Sequence, residues 1–156
     1  MRTKLVLLVS AVMVLGLVIG GVAFGSGSSR IITAPEEIHV GARFTNFRYV
    51  DNKPVGKDSI GDEVVIRAEL FGGGVRAGTA SIKCTSVFFD HLQCQIISEL
   101  KSRGKVVAEG WFADAQRIHA VLAVTGGTGH SRNTRGVLEV DDNGPNTSAF
   151  VFHLIP

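Results

Sequence analysis

From residue 62 to residue 101 the side chains alternate between apolar and polar, and no other feature restricts the fold as tightly. Val64, Ile66, Ala68 and Leu70 fall on one side of an extended chain; Glu63, Arg67 and Glu69 fall on the other. Ala80, Ile82 and Cys84 then alternate with Thr79, Ser81, Lys83 and Thr85. Leu92, Cys94, Ile96 and Leu100 alternate with Gln93, Gln95, Glu99 and Lys101, Ile97 being the exception. A period of two marks strands with one face buried and one face wet. No segment beyond residue 38 has the 3.6-residue period of a helix.

The pattern predicts eight strands, at 39–50, 62–71, 79–87, 92–101, 105–112, 118–125, 130–141 and 147–155. Turn residues separate them: Asp51-Asn52-Lys53-Pro54, Gly72-Gly73-Gly74, Arg103-Gly104 and Asp142-Asn143-Gly144-Pro145. Short antiparallel strands joined by tight turns build a sandwich or a closed barrel, and the two read alike from pattern alone. An eight-stranded barrel has no free edges and holds room for one small ligand.

The first 29 residues are a different kind of chain. Arg2 and Lys4 precede an uncharged, mostly apolar run from 5 to 24, and small residues follow at 25–29. That is the layout of an export signal, with Ala23-Phe24-Gly25 as an acceptable cleavage site. The run is long for a signal, so an uncleaved membrane anchor is the alternative. The expected organisation is residues 1–29 as signal or anchor with a Gly/Ser linker, and 30–156 as one barrel domain. The protein is then secreted or extracytoplasmic, and touches a membrane only through residues 5–24 if these are retained. Without residues 1–29, basic and acidic side chains balance at 14 each. The formal charge of +2 on the whole chain is therefore no sign of nucleic-acid binding, and no basic, aromatic-interleaved stretch is present.

Both cysteines, Cys84 and Cys94, lie in the exported part, and an oxidising compartment favours pairing them. If they face each other across a hairpin, Val87 faces His91, and Phe88, Phe89 and Asp90 form the loop. Both then sit on the apolar face of their strands, which suits a cross-strand disulfide. Two buried thiols are the plainer alternative.

The run Ala123-Val124-Thr125-Gly126-Gly127-Thr128-Gly129, followed by Asn133-Thr134-Arg135-Gly136, invites a phosphate-loop reading. A phosphate loop needs a helix after the glycines, and the alternation of Val137, Glu139 and Asp141 argues for a strand. A structural turn is expected, built from Gly126, Gly127, Gly129, Arg135 and Gly136. His39, His91, His119, His130 and His153 share no ligand spacing, so neither a metal site nor a cofactor is expected. No serine sits in a nucleophile elbow. In the last strand both faces are largely apolar: Phe150, Phe152 and Leu154 on one side, Ala149, Val151 and Ile155 on the other. One face belongs to the core. The other calls for cover by residues 30–38 or by a second subunit.

The glycine run and the Arg135-Gly136 pair resemble the pattern of the allene oxide cyclase and dirigent barrel superfamily. Gly61-Asp62 and Ala77-Gly78, each before a strand, are similar to that superfamily too. The likeness extends to small exported bacterial proteins with this type of barrel, which carry paired cysteines like Cys84 and Cys94 and end on a Phe-rich strand. The resemblance implies an all-β, eight-stranded antiparallel barrel preceded by an N-terminal signal helix. It implies an interior that binds an apolar small molecule and steers its cyclisation or stereoselective coupling, and it favours a homo-oligomer, trimer or dimer. The polar equipment of the cyclases is missing, since Ala68 and Ala80 stand where polar side chains would be. Catalytic residues are therefore unassigned. The expected ligand-facing residues are Ile66, Ala68, Ile82, Ser86, Ile96 and Ser98. The alternatives are a non-catalytic carrier of a hydrophobic ligand and a structural protein whose barrel is filled by its own side chains.

Overall fold

A computed structural model describes residues 34–52, 59–88, 91–113 and 119–155. The expected signal or anchor at 1–29 lies outside the described residues. Eight strands form a closed antiparallel barrel in chain order, with β8 returning to β1. They are β1 Glu36–Val50, β2 Glu63–Gly72, β3 Val75–Phe88, β4 His91–Leu100, β5 Gly104–Ala113, β6 His119–Gly127, β7 Arg135–Gly144 and β8 Thr147–Ile155. Closure pairs Glu36 to Arg43 of β1 with Leu154 to Thr147 of β8, so each described strand has a paired neighbour on both sides.

The alternation read from the sequence translates directly into inside and outside. Pairing across β2, β3 and β4 puts Ile66, Ile82 and Ile96 on one inward rung. Ala68, Ala80 and Ser98 form the next rung, and Leu70, Gly78 and Leu100 the one beyond. On the opposite wall β8 sends in Phe150, Phe152 and Leu154, all buried. Leu122 and Leu138, directly paired on β6 and β7, are buried beside them. The small rung at Ala68, Ala80 and Ser98 leaves room for these large side chains, and alternation of size between facing walls is what dense packing requires.

Two expectations are corrected. The seventh strand does not begin at residue 130. Residues Gly129–Ser131 form a single 3-10 turn and β7 starts at Arg135. The glycine run ends β6 and folds over the start of β5, where the Thr128 N–H donates to the Lys105 carbonyl at 2.8 Å. Tight backbone approach is the reason for the glycines: a Cβ on Gly136, which has a φ of +135°, would lie 1.9 Å from the His153 carbonyl oxygen. Arg135 is exposed, and its guanidinium donates to the Thr134 carbonyl at 3.0 Å, closing the turn locally.

Second, a bulge between Ser86 and Phe88 pairs Phe88, not Val87, with His91. The expected loop residues Phe89 and Asp90 lie outside the described residues. The cysteine register is as expected: Cys84 faces Cys94 and the two are disulfide-bonded.

Of residues 30–38, one of the two covers expected for the outer face of β8, 30–33 lie outside the described residues and 36–38 do not lie over that face. They are the start of β1 and pair edge to edge with β8. The outer row Ala149, Val151 and Ile155 is left half-buried to exposed. Among the described residues no helix is long and apolar enough to cross a membrane.

Candidate functional site: a half-open barrel

The barrel is filled at one end and open at the other. The filled end is closed by Leu70, Leu100, Val106, Phe152 and Leu154. The open end holds a cavity of about 720 Å³, within the range of small-molecule sites. Its floor and walls are apolar. Ile66, Ile82 and Ile96 come from one rung; Cys84 and Cys94 put the disulfide in the wall above them; Ala120, Leu122, Val140 and Phe150 form the far side. Phe44, Phe47 and Phe112 stand toward the mouth.

A bulge in β1 explains how two phenylalanines three apart reach the same cavity. Phe44 pairs with Ala68 and Phe47 with Ile66, both inward positions, and the register slips between Phe44 and Asn46. The extra residue reverses the parity of the strand. Tyr49 follows Phe47 on the inward side, paired with Val64. Its hydroxyl donates to Asp62 Oδ2 at 2.8 Å.

Asp62 is a structural node beside the mouth. Its buried carboxylate accepts from the Ser59 N–H at 2.7 Å, the Ser59 hydroxyl at 2.9 Å and the Asn52 N–H at 2.7 Å, besides Tyr49. The Ser59 backbone donor does most to lower its pKa, to about 2; burial opposes this, and Tyr49, Asn52 and the Ser59 hydroxyl add to it. The node joins the end of β1 to the start of β2. The Ser86 N–H extends it to β3 by donating to the Asp62 carbonyl at 2.8 Å.

The polar part of the cavity lies on one element, the β7–β8 turn: Asp142, Asn143, Asn146 and Ser148. Asp142 and Ser148 are directly opposed across the ladder, and a bulge follows Asp142. Asp142 Oδ1 accepts from the Gly144 N–H at 3.0 Å. The Phe44 N–H donates to the Asn146 carbonyl at 2.8 Å, which pins the turn against β1. Neighbouring Asp141 faces outward, where it meets His119 Nδ1 at 2.6 Å and raises the pKa of that imidazole.

Of the six residues expected to face a ligand, Ile66, Ile82 and Ile96 line the cavity. Ala68 and Ser98 point inward one rung deeper, among the packed core. Ser86 lies beyond the cysteine rung, its hydroxyl donating to the Phe88 carbonyl at 3.1 Å. Ser98 is fully buried and its Oγ has no hydrogen-bond partner. Asp142 and Ser148 went unnoticed in the sequence, although each continues the inward parity of a visible pattern: Leu138-Val140-Asp142 and Ser148-Phe150-Phe152. Among the described residues no three His, Cys, Asp or Glu side chains are grouped to hold a metal.

No protein-family model matches the sequence, and no curated protein matches it. Solved structures do match the fold. A pyocyanin demethylase superposes with a TM-score of 0.66 at 20% identity, over 76% of this chain and 99% of that one. A pterocarpan synthase dirigent protein gives 0.65 at 16% identity, over 78% and 95%. A Diels-Alderase from Streptomyces koyangensis gives 0.58 at 14% identity, over 84% and 72%. The fold is that of the allene oxide cyclase and dirigent-like barrels. At these identities the likeness reaches no further than the fold.

Proposed function

We propose that this chain is an exported barrel that binds an apolar small molecule in its open half and steers that molecule's cyclisation or stereoselective coupling. The observation that carries the reading is the cavity itself: about 720 Å³ of oily space, walled by isoleucines, phenylalanines and a disulfide, with polar groups on one side of the mouth. Such a site holds a flexible or reactive substrate in one conformer and keeps water away from it. Orientation of that kind accelerates a ring closure or coupling without a side chain entering the chemistry. The structural neighbours include a pterocarpan synthase dirigent protein and a Diels-Alderase, which supports the reaction class. Export is supported by the charge and hydropathy layout of residues 1–29 and by the disulfide. The apolar outer row of β8 supports a homo-oligomer, dimer or trimer.

A carrier without chemistry is the second reading. It is favoured by one observation: Asp142 is the one ionisable side chain among the described residues lining the cavity. Mass spectrometry of small molecules retained by the protein purified from its native host tests both. A retained apolar molecule supports occupancy. Conversion of its precursor to one stereoisomer in the presence of the protein, and to a mixture without it, selects steering over carriage. If no small molecule is retained and none of a panel of apolar probes binds, both readings fail.

A further inference from the structure

We infer that the cavity selects ligands whose apolar body ends in a cationic or strongly hydrogen-bond-donating group, and that Asp142 receives that group. This rests on the proposed function, because it names the class of molecule that the same cavity takes. The asymmetry of the lining carries it. Depth and far wall are made of Ile82, Ile96, Leu122, Phe150 and the disulfide, none of which can orient a ligand end to end. Every polar side chain of the described lining comes instead from one turn and the first rung of the strands beside it. A ligand with one polar end therefore has one way to enter: apolar end down, polar end at the β7–β8 turn.

The chemistry of that end follows from what faces it. A carboxylate such as that of Asp142 accepts hydrogen bonds and donates none. Across the ladder stands the buried Ser148 hydroxyl, which donates or accepts. No lysine, arginine or histidine is among the described residues lining the cavity, so no described cation of the lining balances Asp142. Nor does Asp141 help, since it faces outward and pairs with His119. An anionic ligand end is repelled at this mouth, a neutral one is tolerated, and a cation completes the site with a charge-assisted hydrogen bond. Because Asp142 is exposed at the rim, added salt weakens the preference.

Asp142→Asn isolates the charge. Asparagine keeps an Oδ1 to accept from the Gly144 N–H, so the turn retains its hydrogen bond while the negative charge is lost. The experiment is a fluorescence titration of the purified protein at low ionic strength and neutral pH with three flat tricyclic probes, each with one substituted end: cationic anthracenylmethylammonium, neutral methylanthracene and anionic anthracene carboxylate. The wild-type protein is expected to bind them in that order of affinity. Asp142→Asn is expected to weaken the cation about tenfold, leave the neutral probe within about twofold, and strengthen the anion. Ile96→Trp and Ala120→Phe, which put bulk into the cavity, are expected to weaken all three. At least one of these variants must retain the wild-type circular dichroism for that comparison. Equal shifts of the three probes in Asp142→Asn, or a cation bound no better than the neutral probe by the wild type, overturn the assignment while leaving an apolar site intact. Affinities unchanged in a folded cavity-blocked variant place binding elsewhere and overturn it as well. If none of the three binds the wild type, the apolar-ligand reading itself falls, and this inference falls with it.

Discussion

Reduction of the Cys84–Cys94 bond is expected to destabilise the barrel by a magnitude that follows from its place in the chain. The cysteines are ten residues apart in sequence. In the chain-entropy model, closing a loop of that length removes unfolded-state freedom equivalent to about 2.7 kcal/mol at 25 °C. The compact unit spans residues 32–156. A domain of that size unfolds with an entropy of about 2.1 cal/mol/K per residue, so the loss lowers the melting temperature by about 10 °C. The bond also lies in the cavity wall, and replacing both cysteines would change packing as well as connectivity. Reduction of the wild-type chain avoids that confusion because the sulfur atoms stay in place. The assay is a reversible thermal melt followed by circular dichroism, with and without a phosphine reductant, and with mass spectrometry confirming the gain of two hydrogens. A fully reduced protein that melts within about 2 °C of the oxidised one would refute the reasoning. It would mean that the unfolded chain already holds this hairpin together, so that the cross-link removes little freedom from it.

Other consequences follow from single positions. Gly136→Ala places a Cβ 1.9 Å from the His153 carbonyl oxygen at a φ of +135°, and should cost at least about 3 kcal/mol in urea unfolding. Gly73→Ala, at a φ of +57° with nothing within 4 Å of the new Cβ, should cost only about 1 kcal/mol; equal losses at the two positions would show that strain, not contact, governs both. Asp62 has a folded pKa of about 2 against an ordinary value of 3.8, so its stabilising contribution is complete above about pH 4 and is lost as pH falls through 2. Between those limits the wild type should lose stability more steeply than Asp62→Asn, as read from denaturant midpoints at a series of pH values; parallel curves would remove Asp62 from the account. Ser98→Ala deletes a buried hydroxyl with no partner and should raise stability, by roughly 1 kcal/mol; a clear loss in the same urea assay would mean that the hydroxyl has a partner in solution.

The sequence alone determined which side of each strand faces inward, because a pleated strand turns successive side chains to opposite faces whatever surrounds it. That local rule fixed the all-β class, placed Ile66, Ile82 and Ile96 inside, and put Cys84 and Cys94 on the inward faces of their strands. It assigned no height within the barrel. Ala68 and Ser98 share the inward face with Ile66 and Ile96 yet sit one rung deeper in packed core, and only the tilt and stagger that close eight strands decide where filling stops and space begins. Nor did the rule survive the bulge between Phe44 and Asn46, which turned Phe47 to the cavity mouth against the alternation. The polar corner at Asp142 and Ser148 is divided between the two levels: each residue carries the inward parity of its strand and the β7–β8 hairpin pairs them directly, but only closure of the barrel against Phe44 sets that hairpin at the mouth of a cavity.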